Sequence, residues 1–134
     1  MTPAELSTLL REMMPFGSLL GLEAVSADPS EVVARAEWAA ERCTAGGVLH
    51  GGYLMSVADS VGATVAFLNL PEGATTSTIE SKTNLFRPVT EGAITATGTP
   101  VHVGRSTIVV QTDITRADGK LVSRTLQTQA VLQR

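Results

Sequence analysis

The stretch Gly46–Phe67, GGVLHGGYLMSVADSVGATVAF, decides how this chain folds. Leu54, Val57, Ala58, Val61, Val65 and Leu68 recur at helical spacing, and Met55, Ala63 and Ala66 make most of the remaining circumference apolar or small. A helix that is apolar nearly all round is a central one, wrapped by other structure. Pro71-Glu72-Gly73 closes it.

What surrounds that helix follows from the flanks. On the N-terminal side, Thr2 and Glu5 stand at capping-box spacing with Pro3 at the first helical position. Leu6, Leu9, Leu10 and Met13 then recur on one face, so a short amphipathic helix is expected to end near Pro15. LLGLEAVSADPSEVVARAEW reads as two extended runs around the turn signal Asp28-Pro29-Ser30, a first hairpin. From Thr75 onward TSTIESKTNLFRPV, AITATGTPVHVG, STIVVQTDITRADG and KLVSRTLQTQAVLQ are rich in Thr, Val and Ile, with turns between them. Thr125, Thr128 and the glutamines alternate along the last run as in a strand with one wetter face. The expectation is an α+β domain whose antiparallel sheet wraps one long central helix.

Composition narrows the function classes. At 134 residues the chain is expected to form a single domain spanning 1–134, with a core large enough to need no covalent staples. A hydrophobic share of 43% against 17% charged suggests surface hidden in an oligomer. A formal net charge of −3 gives no reason to expect nucleic acid as a partner. Cys43 is the only cysteine, which excludes an intrachain disulfide and favours a reducing, cytoplasmic setting. The start of the chain does not read as a signal peptide, and Gly51–Leu70, with Asp59 inside it, reads as a buried helix rather than a membrane span. Cys43, His50 and His102 have no recognised ligand spacing, so neither metal nor cofactor is expected.

Two features of the central stretch carry chemistry. Gly51-Gly52 opens the helix, where the first amide N–H groups lack partners and sit at the positive end of the macrodipole. The pair serves either a sharp turn or the polarisation of a carbonyl and its oxyanion. Asp59 is the only formally charged side chain between Arg42 and Glu72, and a buried carboxylate costs several kcal/mol unless it is paired or hydrogen-bonded. No cation on the same helix can pair with it, so either the acid reaches solvent or a structural hydrogen bond, or its partner lies elsewhere in the fold, on another chain or on a ligand. His50 and Asp59 stand about 13 Å apart along a helix axis, too far to share one reaction centre within a chain. If they cooperate, two antiparallel helices related by a two-fold axis bring them together, and the protein is a dimer with two composite sites. His50 itself reads as a base, a capping residue or a positioner of the loop and a carbonyl.

LHGGYLMSVADSVGATVA, STIESKTNLFRPV, GRSTIVVQTDI and DGKLVSRTLQTQAV together resemble the hotdog-fold acyl-CoA thioesterases of the PaaI and 4-hydroxybenzoyl-CoA thioesterase type, over about Phe16 to Leu132. The resemblance implies a homodimer joined edge to edge, often paired into a homotetramer, with active sites at the dimer interface. It implies the Gly51 amide and His50 from one subunit at the thioester carbonyl, and Asp59 of the other as nucleophile or general base. Thr78 stands where relatives orient the attacking water with a hydroxyl. Thr44 replaces an Asn or Gln of many relatives, and Ala63 replaces a hydroxyl found one turn after the acid in some, with Ser60 and Thr64 as substitutes. Arg87, Arg105 and Ser106 are the expected contacts to the phosphates of CoA. The implied reaction is hydrolysis of a small aromatic or short-to-medium-chain acyl-CoA. A noncatalytic acyl-CoA-binding module on the same fold, and a hotdog dehydratase or hydratase, are the alternatives.

Overall fold

The computed structural model describes residues 2–133, apart from the side chain of Leu9. Helix α1 spans Pro3–Met13, and its capping box is formed: Thr2 Oγ1 accepts from the Glu5 amide at 3.1 Å while the Thr2 amide donates to Glu5 Oε2 at 2.7 Å. Of the expected apolar face, Leu6 is buried and Met13 is half exposed. Pro15 does not end helical structure as expected. It takes the N1 position of a second short helix, α2 (Pro15–Leu20), which stops at Gly21 in the left-handed conformation with φ 70°.

Strands β1 (Glu23–Asp28) and β2 (Glu31–Glu37) form the expected hairpin, with Asp28 Oδ1 accepting from the Ser30 and Glu31 amides at the turn. Helix α3 runs Gly51–Leu68, and β3 (Thr75–Leu85), β4 (Ala93–Val103), β5 (Thr107–Thr115) and β6 (Leu121–Leu132) follow. All six strands join one antiparallel sheet in the order β1-β2-β4-β5-β6-β3. Its inner face supplies Val32, Ala34, Ile94, Ala96, Ile108, Val110 and Ile114, which pack with Val57, Ala58, Val61 and Val65 of α3. By length and composition α3 could cross a membrane, but Leu54, Val57, Ala58, Val61, Val65 and Ala66 lie in this core, while Met55 and Phe67, on the face expected to be wrapped, are exposed. The helix packs tightly on the sheet at β4, where a Cβ on Gly98 would stand 2.9 Å from Val61 Cγ1 and 3.0 Å from Val65 Cγ2.

Two strands place the site, and the face of β6 does so against expectation. In β6 the polar alternation faces inward: Ser123, Thr125, Gln127 and Gln129 are buried beneath α3, while Arg124 and Leu126 face out. The inward side is polar because α3 carries Asp59 and leaves room at Gly62, as described below. Strand β3 forms the edge of the sheet, exposed along most of its length, with Ile79 and Leu85 open on it.

Candidate active site

His50 is the N-cap of α3. Its Nδ1 accepts from the Gly52 amide at 2.8 Å, which in the neutral ring puts the hydrogen on Nε2 and leaves Nε2–H free to donate outward. The glycine pair now has two distinct reasons. A Cβ on Gly52 would stand 3.0 Å from His50 Nδ1 and crowd the capping ring. Gly51 leaves its own amide, the first of the helix, without a partner among the described residues, with Leu85 at the end of β3 packed beside it. The loop leading in is held by backbone bonds from His50 to Arg42 at 2.9 Å and from Leu49 to Val89 at 2.9 Å.

Arg42 braces this terminus. Its Nη1 donates to Glu37 O at 2.6 Å, its guanidinium lies 5.6 Å from the centroid of the Tyr53 ring, and the backbone of Gly21 abuts it so closely that a Cβ there would displace the guanidinium. The Tyr53 hydroxyl donates to Leu20 O at 2.6 Å, and burial pushes its pKa above the usual tyrosine value of 10.0, partly opposed by Arg42. A surface hollow bordered by Arg11, Glu23, Glu37 and Arg42 lies on this side of the molecule and includes none of the residues that hold Asp59.

Asp59, in the third turn of α3, is half-buried. It is held by neutral donors of its own chain. Its Oδ1 accepts from Thr78 Oγ1 at 2.9 Å and from Gln127 Nε2 at 2.9 Å, and its Oδ2 has no partner among the described residues. Two hydrogen bonds to a charged acceptor, each worth about 1.5–3 kcal/mol, are of the size needed to offset partial burial of the carboxylate. Thr78 is aimed at Asp59 from β3 at a bulge, where the register with β6 shifts between Thr78 and Glu80. Thr78 Oγ1 also lies 2.6 Å from Gln129 Oε1, so its single hydrogen serves one of two acceptors at a time. Gln127 Nε2 gives its second hydrogen to Gln129 Oε1 at 2.9 Å, and Gln129 Nε2 donates to Thr76 Oγ1 at 3.1 Å.

Gln127, Gln129 and Gly62 were not among the residues that the sequence singled out. The signal for them was Asp59 itself, since an acid without a cation needs donors from the facing sheet. Ser60 and Thr64 do not replace the hydroxyl missing at Ala63: their side chains donate within the helix, to Ser56 O and Ser60 O.

The other expected residues are dispersed. Thr44 is exposed, with its amide donating to Val48 O at 2.8 Å. Arg87 is exposed beside the start of β6, where Nη1 donates to Leu121 O at 2.8 Å. Arg105 and Ser106 are exposed in the β4–β5 turn, and Ser106 O accepts from Val131 at the far end of β6. Within one chain the two arginines are therefore about 33 Å apart along β6. Cys43 Sγ donates to Ala39 O, and His102 packs beside Gly104. Among the described residues no three His, Cys, Asp or Glu side chains cluster as metal ligands would.

Residues 46–123, from the glycine turn before α3 into β6, match the family model of the thioesterase superfamily. The chain belongs to that superfamily. A candidate esterase of Saccharolobus solfataricus is 30% identical over 114 residues, 85% of this chain and 81% of that protein. A candidate esterase of Haemophilus influenzae is 40% identical over 75 residues, 56% of this chain, and the match spans only about half (54%) of that relative's length. A solved thioesterase of Haemophilus influenzae superposes with a TM-score of 0.91 at 30% identity, covering 99% of this chain and 92% of that one. The hotdog fold and the thioester-hydrolase family expected from the sequence are thereby borne out. A hypothetical thioesterase of Streptococcus pneumoniae, solved with coenzyme A, superposes with a TM-score of 0.82 at 26% identity, covering 92% of this chain and 98% of that one.

Proposed function

We propose that the protein is a cytoplasmic acyl-CoA thioesterase, hydrolysing a small aromatic or short-to-medium-chain acyl-CoA to the free acid and CoA. The observation that carries this reading is the state of Asp59: one carboxylate oxygen is anchored by Thr78 and Gln127, and the other has no partner among the described residues, on a helix whose main face is buried in the core. A carboxylate held that way is equipped to react. Either Oδ2 bonds the thioester carbon and expels CoA thiolate, leaving a mixed anhydride that water opens, or Oδ2 takes the proton of a water that attacks the same carbon. In both routes Thr78 helps to place the attacking oxygen. The free Gly51 amide stabilises the oxyanion, His50 Nε2–H positions the carbonyl, and Thr44 offers a weaker donor beside it.

The site is shared between two subunits. Gly51 and His50 lie beside Leu85 at the end of β3, whereas Asp59 binds Thr78 in its first half. Antiparallel pairing of two exposed β3 edges runs the Leu85 end of one chain toward the Thr78 region of the other, which closes the separation between His50 and Asp59. The same pairing brings Arg87 of one subunit to the end of the sheet where Arg105 and Ser106 of the other lie, so together they can meet the phosphates of CoA. The coenzyme A bound to the Streptococcus pneumoniae relative supports that ligand class. A pair of such dimers would form a homotetramer.

The test is thiol release from benzoyl-, phenylacetyl- and hexanoyl-CoA by the wild type and by Asp59→Asn. Turnover lost in the variant supports the reading. Binding of CoA esters without turnover in either protein moves the noncatalytic acyl-CoA-binding module ahead.

A further inference from the structure

We infer that Gln127 and Gln129 are positioning residues that fix the Asp59 carboxylate so that Oδ2 alone faces the substrate; this rests on the proposed reading of Asp59 as the reacting acid. Both glutamines lie on the inner face of β6, and they are 0% and 1% exposed. Among buried residues such side chains are uncommon, and here they form a chain of bonds that ends on the one acid of α3.

The orientation of the Gln127 amide follows from its neighbours. Its nitrogen faces two acceptors, Asp59 Oδ1 and Gln129 Oε1, and both of its hydrogens are used. That leaves Gln127 Oε1 buried without a partner among the described residues. A side chain selected for stability alone would be apolar here, as Val110 is on the facing strand β5. The helix makes room for this arrangement, because a Cβ on Gly62 would coincide with the Gln127 amide.

Hydrogen counting makes Gln127 the constant member. Thr78 can turn its one hydrogen from Asp59 to Gln129, whereas Gln127 keeps a hydrogen on Oδ1 in both states. Gln129 Oε1 takes the second hydrogen of Gln127 Nε2, so the Gln127 amide is held at both of its N–H groups.

The discriminating variant is Gln127→Met, which conserves volume and removes both the donor and the unpartnered acceptor. Thiol release and melting temperature are measured on it beside wild type and Asp59→Asn. The expected result is a fall in kcat of about 10- to 100-fold, equivalent to one hydrogen bond to a charged group, with KM within about twofold and a melting temperature equal to or above wild type. Wild-type kcat, or a fall in kcat that accompanies a lowered melting temperature, overturns the assignment. If Gln127→Met does not fold, Gly62→Ala displaces the same amide, and wild-type kcat in that variant is equally fatal. Should Asp59→Asn retain full turnover, the reading of Asp59 fails, which is a separate outcome.

Discussion

The ring of His50 packs against the backbone of Gly52: Nδ1 accepts the Gly52 amide at 2.8 Å, and a Cβ on Gly52 would stand 3.0 Å from that same nitrogen and press on the ring. A cap of this kind is worth about 0.5–2 kcal/mol. Gly52→Ala should therefore reproduce the effect of His50→Ala although the histidine is still present, each lowering stability by about that amount. In the double variant the losses should not add. Denaturant unfolding of the three proteins measures this, and full additivity would mean that the glycine acts independently of the ring.

Tyr53 offers a titration with one reporter, since the chain has a single tyrosine. Burial raises its pKa above 10.0 in the folded protein. With the folded value above the unfolded one, the folded state holds the proton longer, so stability is fully present below about pH 10 and is lost as pH rises toward the folded value. Tyrosinate absorbance should rise later in the native protein than in denaturant. Tyr53→Phe should remove this alkaline loss while giving up the bond to Leu20 O at all pH values.

Gly98 sets how closely α3 approaches β4. A methyl group there meets Val61 and Val65, so Gly98→Ala should cost about 1–3 kcal/mol by overpacking. Val61→Ala alone should also destabilise, by leaving a cavity. Combined, the two changes should cost less than their sum, because the space removed at one residue is supplied at the other.

The elements legible in the sequence were those set by period. The apolar circumference of α3, the capping box at Thr2–Glu5 and the alternating strands after Thr75 each reflect one local rule. Helix α2 was not legible, because Pro15 signals the end of one helix and the start of another equally well. The inward polar face of β6 was hidden for a different reason. Alternation reveals which residues share a face but not which face is buried, and polar residues are assigned to solvent unless something inside needs them. Asp59 was that need, visible at once, but its partners stand 19 and 68 residues away, beyond any local pattern. For the same reason His50, Gly51, Asp59 and Thr78 were legible as candidates by type and resemblance, whereas Gln127 and Gly62 required the fold.

Thr78 separates two contributions that act on the same oxygen of Asp59. Its hydroxyl lies 2.9 Å from Oδ1 and 2.6 Å from Gln129 Oε1, and it comes from the β3 bulge at the exposed edge rather than from the core. Thr78→Val keeps the branched shape and removes the hydroxyl, so the sheet should hold, while Asp59 keeps only the bond from Gln127. The expected result is a fall in kcat of about tenfold with little change in melting temperature, the worth of one hydrogen bond. Thr78→Ser restores the hydroxyl without the methyl group and should recover most of that loss. If valine and serine reduce turnover alike, the methyl group and the shape of the edge matter, and the bond to Asp59 does not. If valine leaves kcat untouched while Gln127→Met lowers it, the acid is held from β6 alone and Thr78 serves the strand.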